Sequence, residues 1–203
     1  MIHLVDYGLG NVKAFENIYK RLGIEVLRAT TANDLMDAKK LILPGVGAFD
    51  HAMDLLNVSG MRETLEDLVV LQQIPILGIC VGMQILANSS DEGVREGLGW
   101  VPGKVHKFSF KDRVNRPLPH MGWNDVTPHN RSPLFKGLED NSRFYYLHSY
   151  YFECKNSEHC AAKSHYTLAF DAAVQNRNIF GVQFHPEKSH HWGAQLLKNF
   201  AEL

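Results

Sequence analysis

Three side chains in this 203-residue chain have the types and settings that acyl transfer requires. Cys80 stands in Gly78-Ile79-Cys80-Val81-Gly82, between a short apolar run and a helical pattern. Glycines on both sides relieve the crowding of a sharp strand-to-helix turn, the pattern of a nucleophile elbow with cysteine in the serine place. The turn lifts the sulfur off the sheet edge. The helix that follows aims its free N–H groups and positive dipole end at it, which favours the thiolate, the attacking form. A buried structural cysteine is the plain alternative. It is the reading that suits Cys154 and Cys160, which lack this setting.

The second signal is His185-Pro186-Glu187, after the apolar run Phe180-Gly-Val-Gln-Phe184. If the chain stays extended, side chains at i and i+2 point the same way, so His185 and Glu187 share a face while Pro186 stiffens the backbone between them. A carboxylate beside an imidazole fixes its tautomer and stabilises the imidazolium. With eleven histidines present, the tripeptide gains its meaning from the elbow. Donors for an oxyanion are expected from the Val81 N–H, directly after the nucleophile, and from Val46 and Gly47 in Pro44-Gly45-Val46-Gly47.

The elements that must position these groups alternate in the first half. Residues 2–5 read as a buried strand, 11–22 as a helix with Val12, Phe15, Ile18, Tyr19 and Leu22 on one face, and 24–27 and 40–43 as strands with a short helix from Asn33 between them. A further helical stretch runs to about residue 71; then come a strand at 74–79 and helix at 83–87. Such alternation predicts a parallel sheet covered on both faces. After Asn88 strand-like runs dominate, at 104–110, 123–127, 144–152, 159–164 and 172–175. Turn signals at Arg116-Pro117, Thr127-Pro128 and Ser132-Pro133 separate them, and they are expected to add antiparallel strands to the same sheet. A strand at 179–185 and a helix at 192–203 close the chain. The expectation is one α/β domain over 1–203, a three-layer sandwich with a central, mostly parallel sheet, in which His185 falls at the carboxyl edge where ligands bind.

Composition excludes several classes. Hydrophobic residues make up 45% and charged residues 21%, and the formal net charge is -1, so neither nucleic acid nor membrane is an expected partner. Three cysteines do not make a disulfide framework and fit a reducing cytosol, hence a cytoplasmic enzyme. The first residues read as a strand and not as a signal peptide, and no apolar stretch approaches the ~20 residues of a membrane span. A dinucleotide fingerprint at Gly8-Leu9-Gly10 fails because its third glycine would fall on Lys13. His190-His191 lacks further ligands at suggestive spacing, so neither metal nor cofactor is expected.

Taken in order, Asp6-Tyr7-Gly8-Leu9-Gly10-Asn11, Pro44-Gly45-Val46-Gly47, Gly78-Ile79-Cys80-Val81-Gly82-Met83-Gln84, His120-Met121-Gly122-Trp123-Asn124, His148-Ser149-Tyr150 and residues 181–189 resemble the class I (triad) glutamine amidotransferases over essentially the whole chain. The likeness is to those that serve as the glutaminase subunit of imidazole glycerol phosphate synthase. The resemblance implies a flavodoxin-like fold and hydrolysis of L-glutamine through a γ-glutamyl thioester on Cys80. It implies ammonia transfer to a (β/α)₈ cyclase subunit in a heterodimer of histidine biosynthesis. It also assigns Gln84, Glu92 and the backbone of His148, Ser149 and Tyr150 to the glutamine site, a reorienting peptide to Val46–Gly47, and Asn11, Trp123, Tyr145 and Lys188 to the subunit interface. Aromatic anchors suit an interface; a core aromatic is the other reading of Trp123. His190-His191-Trp192-Gly193 departs from the small polar residues usual there, which leaves open a paralogous subunit feeding a sugar-modifying synthase of surface polysaccharides. A stand-alone cysteine hydrolase and a redox-sensing binding module are the competing classes.

Overall fold

A computed structural model of the protein describes residues 1–109, 117–129, 131–138 and 142–203. In chain order the elements are β1 (Ile2–Val5), α1 (Val12–Arg21), β2 (Val26–Ala29), β3 (Lys40–Gly45), α2 (Phe49–Val58), α3 (Arg62–Glu66), β4 (Ile76–Cys80), α4 (Val81–Gln84), β5 (Ser89–Ser90), β6 (Gly103–Lys107), β7 (His120–Asp125), β8 (Thr127–Pro128), β9 (Arg143–His148), β10 (Tyr150–Cys154), β11 (Cys160–His165), β12 (Ala169–Asn176), β13 (Ile179–Val182) and α5 (His190–Glu202).

The main sheet runs β2-β1-β3-β4-β13-β12-β10-β6-β5, with β11 laid on β12 and β8 on β11. Its first five strands are parallel, and β12, β10 and β6 join antiparallel. Every residue of β1, β4 and β13 is buried. A strand with no exposed alternate residue must be covered on both faces, and helices supply the cover, giving the three-layer α/β arrangement. The α1 helix buries Val12, Phe15, Ile18 and Tyr19, is capped by the Asn11 side chain, and is tied to α5 by the Tyr19 hydroxyl donating to the Leu197 carbonyl at 3.1 Å. Among the described residues no helix is long and apolar enough to cross a membrane.

Several boundaries differ from the sequence reading, each because a backbone group is used elsewhere. The Ile24 N–H closes α1 on the Tyr19 carbonyl, so the second strand starts at Val26. The Ile74 N–H likewise bonds to the Leu68 carbonyl, and pairing begins at Ile76. Helix α4 ends at Gln84, after which Leu86 and Ala87 donate three residues back in tightened turns. The run 144–152 is two strands, because the chain changes sheets at Ser149: β9 pairs with β7 in a separate two-stranded sheet, whereas β10 enters the main one. The strand expected over 104–110 is β6, and Phe110 and Arg116 lie outside the described residues.

Candidate active site

The parallel strands β3, β4 and β13 end together, and their carboxyl ends build the site. Gly45 of β3 stands beside Cys80 of β4. Cys80 has φ 56° and ψ -112°, a left-handed conformation that costs a non-glycine residue on the order of 1–3 kcal/mol and persists only where packing enforces it. Gly82 shows the enforcement. A Cβ there would lie 1.9 Å from the Leu43 carbonyl oxygen, so α4 can rise off the sheet this steeply only with glycine at that position. Val81 opens α4, and its N–H, like the others of a first turn, has no partner within the helix.

His185 and Glu187 come together, but not by the extended geometry expected. The strand stops at Val182, and Pro186–Lys188 forms a 3₁₀ turn. Proline is at home in the first position of such a turn, and the turn brings the carboxylate back under the imidazole. The Nδ1 to Oε1 distance is 2.8 Å, and both side chains are 4% exposed. A carboxylate only accepts, so Nδ1 carries the proton, and Nε2 is left for the Cys80 sulfur, which also acts on the ring. Burial by itself would lower the His185 pKa. The Cys80 sulfur and the Glu187 carboxylate outweigh it and push the pKa up to about 10, so the imidazolium form of His185 is favoured.

The backbone of His185 is held as firmly as its ring. Its N–H donates to the Tyr145 carbonyl at 2.8 Å. The Ser189 hydroxyl donates to its carbonyl at 2.6 Å while accepting the Tyr145 N–H at 2.9 Å. Ser189 is fully buried. In the sequence it stands inside a motif with nothing to mark this task. The same holds for Gln183, whose amide donates to the Cys80 sulfur at 3.8 Å and accepts from Gln84 at 3.0 Å. Its only signal was position, two residues before His185 and just past the strand beside the elbow.

These groups open onto one cleft of about 310 Å³, lined by Val46, Gly47, Cys80, Val81, Gln84 and Glu92 on one side and by His148, Ser149, Tyr150 and His185 on the other. That is small-ligand size. All the residues named for oxyanion and substrate contacts therefore share one space. Gly47 has φ +96°. Glu92 accepts the Phe49 N–H through Oε2 at 2.8 Å. Both protons of the Gln84 amide are taken by protein acceptors, the Tyr150 carbonyl at 3.1 Å and Gln183 at 3.0 Å, so its oxygen is left to meet a ligand. Burial holds His148 neutral, its pKa falling to about 3. Pro119 and Leu147, which carried no sequence signal, also line the cleft.

The family model of class-I glutamine amidotransferases matches residues 3–203. The chain belongs to that family. Over its full length this amidotransferase is 62% identical to the imidazole glycerol phosphate synthase subunit HisH of Bdellovibrio bacteriovorus, with all of both chains covered. It is 52% identical to the HisH subunit of Leptospira interrogans and 44% identical to HisH 2 of Pseudomonas aeruginosa, again over all of both chains. Among solved structures, a glutamine amidotransferase superposes with a TM-score of 0.76 at 20% identity, covering 99% of this chain and 97% of that one. A chain of PurLQS from Thermotoga maritima superposes at 0.75 and 18% identity, also covering 99% and 97%. These two likenesses concern the fold.

Beside the amidotransferase cleft lies an aromatic face. Trp123 of β7 stands opposite Tyr145 of β9, their rings 6.3 Å apart, and the Lys188 ammonium sits 5.8 Å from the Tyr145 ring centre. Three of the four residues assigned to an interface thus form one half-exposed group. Asn11 does not join it; its side chain caps α1 by accepting the Ala14 N–H. The unusual segment after Ser189 does join: His190 lies flat on Trp123, 5.2 Å away and 7° from parallel, and Trp192 meets it edge-on at 6.1 Å. Among the described residues no group of three His, Cys, Asp or Glu side chains is placed to hold a metal ion.

Proposed function

We propose that this chain, acting as one domain over residues 1–203, is the cytoplasmic glutaminase subunit of an imidazole glycerol phosphate synthase. It hydrolyses L-glutamine and hands the ammonia to a (β/α)₈ cyclase subunit in histidine biosynthesis. The observation that carries the reading is the line Cys80–His185–Glu187 at the mouth of a glutamine-sized cleft, in a chain 62% identical to a HisH subunit.

The Cys80 thiolate attacks the side-chain carboxamide carbon of glutamine, and the carbonyl electrons move onto oxygen. The Val81 N–H and an N–H from the Val46–Gly47 segment receive that oxyanion. The C–N bond breaks as the His185 imidazolium passes its Nε2 proton to the leaving nitrogen, releasing ammonia and leaving a γ-glutamyl thioester. Neutral His185 then takes a proton from water, and the hydroxide so generated displaces the sulfur. Glutamate leaves, and thiolate and imidazolium are restored. Glu187 keeps the imidazole in the Nδ1–H tautomer throughout. The free oxygen of Gln84 and the second oxygen of Glu92 suit the α-ammonium group of the substrate. The aromatic face around Trp123, Tyr145 and Lys188 is the surface offered to the cyclase, and the glycine-bearing Val46–Gly47 segment beside it is free to reorient when that partner binds.

The test is glutaminase turnover of the chain with and without the cyclase subunit of the same organism. Wild type releases glutamate and is accelerated by the cyclase. Cys80→Ala releases none, while the complex still forms product from free ammonia. Glutamine hydrolysis by Cys80→Ala, or a wild-type chain indifferent to the cyclase, overturns the reading.

A further inference from the structure

Two buried histidines outside the triad form a hydrogen-bonded line that ends on the cleft. The His148 Nδ1 lies 2.8 Å from the Tyr150 carbonyl oxygen. A carbonyl only accepts, so Nδ1 carries the proton and neutral His148 presents an unprotonated Nε2 on its other side. The His120 Nδ1 is 2.9 Å from that nitrogen and must be the donor. The Nε2 of neutral His120 is then an acceptor, and the Asn124 amide stands 3.2 Å from it while giving its other proton to the His165 carbonyl at 2.9 Å. One assignment of protons satisfies all four contacts without placing a charge in the core. His120 is held flat by stacking on Tyr146 and Tyr166, with ring centres 4.8 and 4.0 Å away and planes within about 22°. From the other direction Gln84 reaches the same Tyr150 carbonyl and passes through Gln183 to the Cys80 sulfur.

We propose that His120 is a positioning residue for the glutamine site. By donating to His148 it fixes that ring's tautomer, and with it the Tyr150 carbonyl that orients the Gln84 and Gln183 amides toward substrate and sulfur. The inference rests on the glutaminase reading of the cleft. It assigns the neutral Nδ1–H form to both imidazoles, and it makes strand β7, which also carries Trp123, the support of the substrate pocket as well as of the aromatic face.

The test uses the full chain in complex with its cyclase subunit. His120→Phe keeps the stacked ring and removes the donor; His120→Asn places an amide N–H near the Nδ1 position. The Phe variant should raise the KM for glutamine roughly tenfold, the worth of one lost hydrogen bond, with kcat changed less, and Asn should recover most of it. Long-range ¹H–¹⁵N spectra of the wild-type chain should show His120 and His148 as Nδ1–H tautomers, a readout that needs no activity and no stable variant. An Nε2–H form at His148, or a KM of the Phe variant equal to wild type, overturns the proposal. A wild-type complex that does not hydrolyse glutamine would instead remove the functional reading beneath it.

Discussion

Glu187→Gln isolates the charge of the carboxylate from its shape. In the native site one carboxylate oxygen accepts the His185 Nδ1–H at 2.8 Å. The other, Oε2, is buried with no hydrogen-bond partner among the described residues. Glutamine keeps an acceptor toward Nδ1 and places its NH₂ in the space of Oε2, so packing is conserved and fold stability should move by no more than about 1–2 kcal/mol. What is lost is the ionic part. A hydrogen bond to a charged group is worth about 1.5–3 kcal/mol and a neutral one about 0.5–1.5, a difference of ~1–1.5 kcal/mol, or about one pH unit in the proton affinity of the imidazole. The high pKa of His185, about 10 in the native site, should therefore fall by about one unit, followed as the titration of its Cε1 proton by NMR. Glutamine turnover should fall at least ~10-fold. It should fall by up to ~10⁴-fold if the amide rotates to present NH₂ to Nδ1, because the imidazole then takes the wrong tautomer. A titration midpoint within about 0.3 units of wild type together with unchanged turnover would refute the assignment of Glu187 as the group that sustains the imidazolium, since 0.3 units is only ~0.4 kcal/mol.

Three further outcomes follow from the same geometry. Ser189→Ala removes the hydroxyl that bridges the Tyr145 N–H and the His185 carbonyl. It should cost about 1–3 kcal/mol of stability in chemical denaturation by stranding a buried N–H, with a larger proportional loss of kcat than of KM. Gly82→Ala forces a methyl to 1.9 Å from the Leu43 carbonyl oxygen and should cost more than about 3 kcal/mol or prevent soluble expression, because backbone stands on both sides of the contact. The pH dependence of stability has two limbs. His148 has a folded pKa lowered to about 3, so its contribution is present above the unfolded value of about 6.5 and is lost as pH falls toward 3. His185 has a raised folded pKa, so its contribution is present below about 6.5 and is lost as pH rises through about 10. His148→Asn, which keeps a donor toward Tyr150 and cannot titrate, should flatten the fall in Tm between about pH 6.5 and 3; an acid limb as steep as wild type would contradict the neutral, buried assignment.

The elbow at Cys80 was legible because its determinants are local. Crowding at a strand-to-helix turn acts between residues 78 and 82, and glycine is the residue that relieves it, so the pattern around Cys80 states its own geometry. The parallel half was legible for a similar reason: strands buried on both faces leave unbroken apolar runs. His185 and Glu187 do meet, but for a different reason from the one the sequence suggested. An i, i+2 pair approaches through an extended chain or through a tight turn, and only the bonds that end β13 at Val182 and close Pro186–Lys188 choose the turn. Strand ends at Val26 and Ile76 and the break at Ser149 were decided by where single backbone N–H groups find acceptors, some of them tens of residues away.

The supporting groups are tertiary in a stronger sense. Ser189 acts on His185 by way of Tyr145, 44 residues earlier. Gln84 and Gln183 meet across 99 residues of sequence, and His120 reaches His148 across 28. No periodicity or spacing marks such pairs, because hydrogen-bond partners are selected by strand order and register, which place β7 beside β9 and β13 beside β4. The sequence by itself determined the elbow at Cys80, the pairing of His185 with Glu187 and the layered α/β class, all set by short-range sterics and hydrophobic patterning. Only the assembled sheet decided which buried amides and imidazoles face one another, and so which side chains hold Cys80 and His185 in place.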